Sequence, residues 1–196
     1  MSHYFLHDES LKSNEYMIKY SFKNVDFHLT SNNGVFSKNK LDVGTSIFIE
    51  TLLNLNLNGK ILDLGCGYGP IGITLKYFNS NLEICFSDVN SSCVELTKKN
   101  LELYKILGNV LISDGFKNIQ DTFDYILFNP PIRIGKTKIF EIYDEAFNHL
   151  NQSGHFLIVI RKDKGAESHK KYLDSKFSKS NLLKRDKGYH VYEFVK

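Results

Sequence analysis

The stretch ILDLGCGYGPIG, residues 61–72, constrains the fold of this chain more than any other. A short apolar run, Ile61–Leu64, meets three glycines at alternate positions, Gly65, Gly67 and Gly69, and leaves through Pro70. Glycine lets the backbone turn tightly and lets a ligand approach with no Cβ in the way. Proline in the first helical turn costs little, because the N–H it lacks has no partner there. The segment reads as strand, turn and helix. In α/β folds the ligand crevice lies where such a strand ends and its helix begins.

The alternation continues downstream. Strands are predicted at Ile61–Leu64, Glu83–Ser87, Asn109–Ile112, Phe123–Phe128 and Gly154–Ile160, with helices at Pro70–Phe78, Ser91–Leu107, Lys138–Leu150 and Ala166–Lys176. Repeated strand–helix units imply a mainly parallel sheet covered by helices on both faces. Asn181–Lys184 and Tyr189–Val195 have no helix between them, so they are expected to form an antiparallel hairpin at one edge. Upstream, Glu15–Phe22 and Val25–Ser31 flank Lys23-Asn24 and read as a separate hairpin. Asp42–Leu55 carries Val43, Ile47, Leu52 and Leu55 at helical spacing.

Bulk properties narrow the function classes. The 196 residues suit one domain, and 42% hydrophobic with 24% charged residues favours a packed core over disorder. No apolar run reaches the roughly 18 residues of a membrane span, so none is expected. Residues 1–9 lack the basic-then-apolar pattern of a signal peptide. Cys66, Cys85 and Cys93 have no CxxC spacing, which points to free thiols in a reducing cytoplasm. Charge is uneven: residues 1–128 hold 11 Lys/Arg against 14 Asp/Glu, residues 129–196 hold 14 against 8. A basic C-terminal third suits a polyanion such as RNA, although a solvated lysine-rich surface has the same composition.

Gly67–Gly72 also matches G-x-G-x-x-G, which alone suggests NAD. The acids around it suggest S-adenosylmethionine instead. Asp63 precedes the glycines, where a carboxylate attracts an ammonium group and repels a pyrophosphate. Asp88 follows Gly69 by 19 residues at a strand end, placed to accept from both ribose hydroxyls, with Val89 beside it. Asp114, Gly115 and Phe116 end the next strand, where the acid suits an adenine amino group and the ring lies against the base. Cys66 has no base beside it in sequence and reads as a small loop residue. Helix capping and turn formation are the bland roles for these acids.

Asn129-Pro130-Pro131-Ile132 follows the fourth strand directly. Two prolines fix φ and stiffen the turn. It is expected to aim carbonyl oxygens and the Asn129 amide oxygen at one point. An amine held there donates its hydrogens and turns its nitrogen toward a sulfonium methyl, so catalysis is mainly orientation. Arg133 and Lys136, just beyond, suit phosphates.

Together ILDLGCGYGPIG, FSDVN, SDGF and FDYILFNPPI resemble the class I methyltransferases with an Asn-Pro-Pro signature. The resemblance is strongest to the "small" methyltransferase group containing the RsmC-type ribosomal RNA guanine-N2 methyltransferases. GVFSKNKLDVGT at residues 34–45 and the ending KGYHVYEFVK are similar to segments of that group. The resemblance spans about residues 30–196 and implies a Rossmann-like sheet, with residues 1–33 as an N-terminal extension and 34–196 as the methyltransferase domain. It implies S-adenosyl-L-methionine as cofactor, held by Asp63, Gly65, Gly67, Asp88 and Asp114. It implies transfer to guanine N2 in small-subunit ribosomal RNA, with Asn129–Ile132 holding the base. There are two departures. Residues 1–33 stand where RsmC-type enzymes often carry a duplicated half, and Ile132 replaces the Tyr or Phe that stacks on a flipped base in many relatives.

Adenine N6 and a protein glutamine amide are equally planar amines and share this geometry. A non-catalytic RNA-binding module has no need of Asp63, Asp88 and Asn129, and an NAD dehydrogenase lacks its substrate domain here. His3 and His7 have no third ligand nearby, so no metal is expected.

Overall fold

The computed structural model describes residues 15–34 and 40–196. The elements run β1 (Glu15–Phe22), β2 (Val25–Asn32), α1 (Val43–Leu52), β3 (Lys60–Leu64), α2 (Pro70–Phe78), β4 (Glu83–Asp88) and α3 (Ser91–Leu103). They continue as β5 (Asn109–Ile112), β6 (Phe123–Phe128), α4 (Lys136–Asn148), β7 (Leu150–Arg161), α5 (Ala166–Asp174), β8 (Lys179–Asp186) and β9 (Tyr189–Val195). Strands β1 and β2 form a two-stranded sheet, and the other seven lie in the order β5-β4-β3-β6-β7-β9-β8. The five strands β5 to β7 run parallel, while β9 and β8 are antiparallel at one edge. This is the Rossmann-like sheet expected, with its antiparallel edge hairpin.

Alternation along the strands divides the core into two layers. Ile61, Leu127, Leu157 and Val159 face the layer under α1, α2 and α3. Leu62, Ile126, Phe128, Phe156 and Ile158 face the layer under α4 and α5. The β1–β2 hairpin joins the first layer through Ile18 and Leu29. Its Phe27 ring stacks on Tyr20 with centroids 5.2 Å apart. The turn works because Lys23 and Asn24 both take positive φ, 48° and 62°, as a two-residue hairpin turn with the strand twist demands.

Asn100 latches the hairpin to the glycine-rich turn. Its Nδ2 donates to the carbonyls of Thr30 (2.9 Å) and Tyr68 (2.8 Å), and its Oδ1 accepts from the Thr30 amide at 2.8 Å.

Several elements end elsewhere than their periodicity suggests, among them α3, β7 and β8. Helix α3 stops at Leu103, four residues short of Leu107, because Lys105 turns to φ 53° and the Ile106 N–H bonds back to the Leu101 carbonyl. Strand β7 begins at Leu150, and its polar start is held by Asn151 Nδ2 donating to Asp124 at 2.7 Å. Strand β8 extends to Lys179 and Asp186 on either side; it lies at the sheet edge, where charged side chains suit solvent and blunt pairing with other chains.

Gly72 sets how closely α2 lies on the sheet. A Cβ there would sit 2.2 Å from the Phe86 ring of β4, so only glycine permits this helix–strand spacing.

Candidate functional site

The sheet order reverses between β3 and β6, and their carboxyl ends open there side by side. Leu64 pairs with both Ser87 and Phe128, Asp88 with Ile112, and Phe128 with Ile158, so five strand ends share one level. A crevice outside the strand ends at such a switch point is the usual ligand site of this architecture. Here it is a cavity of about 630 Å³. That volume lies within the range of small-molecule sites, about 300–1,000 Å³.

The glycine-rich turn forms one wall. Gly67 holds φ 60°, a left-handed backbone that a side chain resists, and its N–H donates to Asp88 Oδ2 at 3.0 Å. From behind, Thr97 of α3 donates to the Gly67 carbonyl at 2.9 Å. Asp88 Oδ1 accepts from the Asn90 amide at 2.9 Å. Burial raises the Asp88 carboxyl above its ordinary pKa, against the hydrogen bonds from the Asn90, Gly67 and Val89 amides and the Cys93 thiol that lower it. Asp114, more exposed, is pulled below the ordinary carboxylate range by Lys117, whose Nζ lies 2.6 Å away.

Asp63 occupies a different place from the one its motif suggests. It is 1% exposed and off the cavity walls, and its Oδ2 accepts from the Gly72 amide at 2.9 Å. The carboxylate thus ties the start of α2 to the end of β3. Burial lifts its pKa from 3.8 to about 7, the nearby Asp88 charge adding to the rise. An acid with a raised folded pKa binds its proton more tightly when folded. Asp63 therefore adds stability as pH falls from about 7 toward 4 and costs stability above 7. Asp63→Asn is expected to flatten that slope. Urea midpoints of both proteins at pH 5 and pH 8 check it; a variant-to-parent difference equal at both pH values would refute the assignment.

The Asn-Pro-Pro turn forms the opposite wall. Asn129, Pro130, Pro131, Ile132 and Arg133 all line the cavity with Gly65, Cys66, Gly67, Asp88, Val89, Asp114 and Gly115. The Pro131 carbonyl accepts from the Ile134 N–H at 3.0 Å, closing a 3-10 turn over Ile132–Ile134. Asn129 Nδ2 donates to Thr45 Oγ1 at 3.0 Å, and the Thr45 amide donates to the Asp42 carboxylate that caps α1.

Four singled-out residues lie off the walls: Asp63, Gly69, Phe116 and Lys136. Phe116 is buried in the α4–α5 layer, stacked on His149 with centroids 4.5 Å apart, because the chain after Gly115 turns inward. Lys136 Nζ rests 5.2 Å from the centre of the Phe140 ring on its own helix. Cys66 is buried beside Thr97, and burial pushes its thiol well above the ordinary value, which suits a structural thiol. The walls also include residues not singled out from the sequence: Asp42, Thr45, Tyr68 and Asn90, which lie within the quoted motifs, and Lys138 and Arg161, which lie outside them. Arg133, Lys138, Arg161 and Lys164 give the cavity four cationic side chains. Among the described residues no three His, Cys, Asp or Glu side chains cluster for a metal; His3 and His7 lie outside them.

Comparison with known proteins agrees with this architecture. A family model described as "Methyltransferase small domain" matches residues 26–193. The chain is 39% identical over 192 residues to the uncharacterized protein YbxB of Bacillus subtilis, covering 96% of each. It is 30% identical over 194 residues to ribosomal RNA small subunit methyltransferase C of Photorhabdus laumondii, covering 97% of this chain and 56% of that one. Among solved structures, the T. thermophilus 16S rRNA N2 G1207 methyltransferase (RsmC), in complex with AdoMet and guanosine, superposes with a TM-score of 0.81 at 24% identity, covering 93% of this chain and 50% of that one. The chain spans about half the length of these two RNA methyltransferases.

Fold and family together define an S-adenosylmethionine-dependent methyltransferase. The chain belongs to the methyltransferase small domain family.

Proposed function

We propose that this enzyme methylates the exocyclic N2 amine of a guanine in small-subunit ribosomal RNA, acting in the cytoplasm. The observation that carries the reading is that Asn129 opens into the same cavity as Asp88 and the glycine-rich turn.

The walls suit the cofactor. Asp88, a carboxylate on the cavity wall at the end of β4, suits the ribose hydroxyls as an acceptor. Asp114 suits the adenine amino group, and Val89 offers apolar surface to the base. With Asp63 tied to Gly72, Asp42 is the carboxylate left on the wall near Tyr68 to meet an ammonium group. The bound cofactor supplies an electrophilic methyl on a sulfonium.

Asn129 Oδ1 accepts one N–H of the exocyclic amine and turns its nitrogen lone pair toward that methyl. The two prolines keep the acceptor still, so the gain is one of orientation. Ile132 covers the base with apolar surface. Arg133, Lys138, Arg161 and Lys164 neutralise the phosphates that accompany a base into the cavity. The Photorhabdus laumondii relative named for ribosomal RNA methylation, similar along 97% of this chain, supports the choice of ribosomal RNA as substrate.

Labelled methyl transfer from S-adenosylmethionine to naked small-subunit RNA, assembled small subunits and total protein tests the proposal. Label in RNA is expected, and label confined to protein would overturn it.

A further inference from the structure

We infer that Thr45 is a positioning residue that fixes which way the Asn129 amide faces. The inference rests on the proposed role of Asn129 as acceptor for the substrate amine.

An asparagine amide presents an oxygen on one side and an NH₂ on the other, and the two sides have nearly the same shape. Only one orientation receives an amine; the reverse points two donors at it. Something must choose. Thr45 lies in the first turn of α1, 84 residues before Asn129, with its Oγ1 3.0 Å from Asn129 Nδ2. A hydroxyl by itself does not choose, because it accepts as readily as it donates.

Asp42 breaks that symmetry. Its Oδ2 lies 3.3 Å from the Thr45 hydroxyl and 2.9 Å from the Thr45 amide. A carboxylate only accepts, so the hydroxyl proton is committed to Asp42. The Thr45 oxygen is then left as an acceptor, and Asn129 must offer Nδ2 to it. Reversing Asn129 would set its oxygen against an oxygen whose proton is already used. Thr45 is 7% exposed, so water does not readily repair that mismatch. The result is that Asn129 Oδ1 faces the cavity as an acceptor. The chain Asp42–Thr45–Asn129 thereby selects substrates bearing a donor, such as an exocyclic amine.

Thr45→Val removes the hydroxyl, keeps the shape and leaves the Asp42 cap on the backbone amide intact. Thr45→Ser restores the hydroxyl. Two readouts separate the possibilities. The first is the side-chain amide ¹H–¹⁵N pair of Asn129 in the cofactor-free protein, assigned by its loss in Asn129→Asp. The second is kcat and the KM for S-adenosylmethionine, with tritiated cofactor and small-subunit ribosomal RNA. In Thr45→Val the amide pair is expected to shift and broaden. Its kcat is expected to fall roughly tenfold, the size of one net hydrogen bond, with KM nearly unchanged. Thr45→Ser is expected to recover both.

An unmoved amide pair in Thr45→Val would overturn the inference, and so would a serine variant as impaired as the valine one. If the parent protein transfers no methyl to RNA, the proposed substrate fails, while the amide pair still decides the role of Thr45.

Discussion

Asn129→Ala is expected to lower turnover on the order of 10²–10³-fold, the loss seen when a single positioned hydrogen-bonding group is removed from a preorganised site. The reason is geometric. Asn129 stands at the carboxyl end of β6, between Phe128, buried in the core, and the stiff Pro130-Pro131 pair. Its amide nitrogen is already engaged by Thr45, so Oδ1 is the part of the side chain left to receive substrate. Alanine removes that acceptor and leaves the amine free to rotate away from the methyl. Cofactor affinity is expected to stay within about twofold, because the acids and glycines proposed to hold the cofactor lie at the ends of β3, β4 and β5 and, for Asp42, just before α1, outside the Asn129 turn. Single-turnover methyl transfer beside calorimetric titration of S-adenosylmethionine checks both halves. Parental turnover in the variant would remove Asn129 from the mechanism.

Asp88→Ala is expected to act in the opposite way, weakening cofactor binding by about 1–3 kcal/mol, or roughly 5- to 150-fold in Kd. Two losses contribute. The ribose hydroxyls lose their acceptor, and the amides of Gly67 and Asn90 lose theirs, so the wall itself loosens. Turnover at saturating cofactor is expected to suffer much less than affinity. Calorimetry measures the first, and an unchanged Kd would refute the assignment of Asp88. The two variants thus separate binding from orientation in one cavity.

What the amino-acid order revealed follows from how local each feature is. The glycine-rich turn was legible because its strand, turn and helix are contiguous and each residue type has a steric reason to be there. The strand-end positions of Asp88, Asp114 and Asn129 were legible for the same reason: each follows a short apolar run, directly for Asn129 and after one serine for the two acids. The structure brings all three to one cavity, which periodicity alone does not show.

The residues missed depend on distance or direction. Thr45 meets Asn129 across 84 positions, and although it ends the segment 34–45 that resembles the family, nothing in that segment says which distant residue it touches. Asp63 and Asp42 are both carboxylates near glycines; which one faces the cavity depends on α2 being close enough for the Gly72 amide to claim Asp63. Phe116 follows a strand-end acid as a base-stacking ring would, yet the backbone turns it toward His149. The polar start of β7 and both ends of β8 were illegible because edge and bulge positions relax the alternation that marks a strand.

The most direct measurement is the identity of the nucleoside that receives the label. Small-subunit ribosomal RNA is incubated with the enzyme and labelled S-adenosylmethionine, digested to nucleosides and resolved by mass spectrometry. N2-methylguanosine is the expected product. Label in N6-methyladenosine, or none in any nucleoside while the cofactor binds, would contradict the proposed substrate.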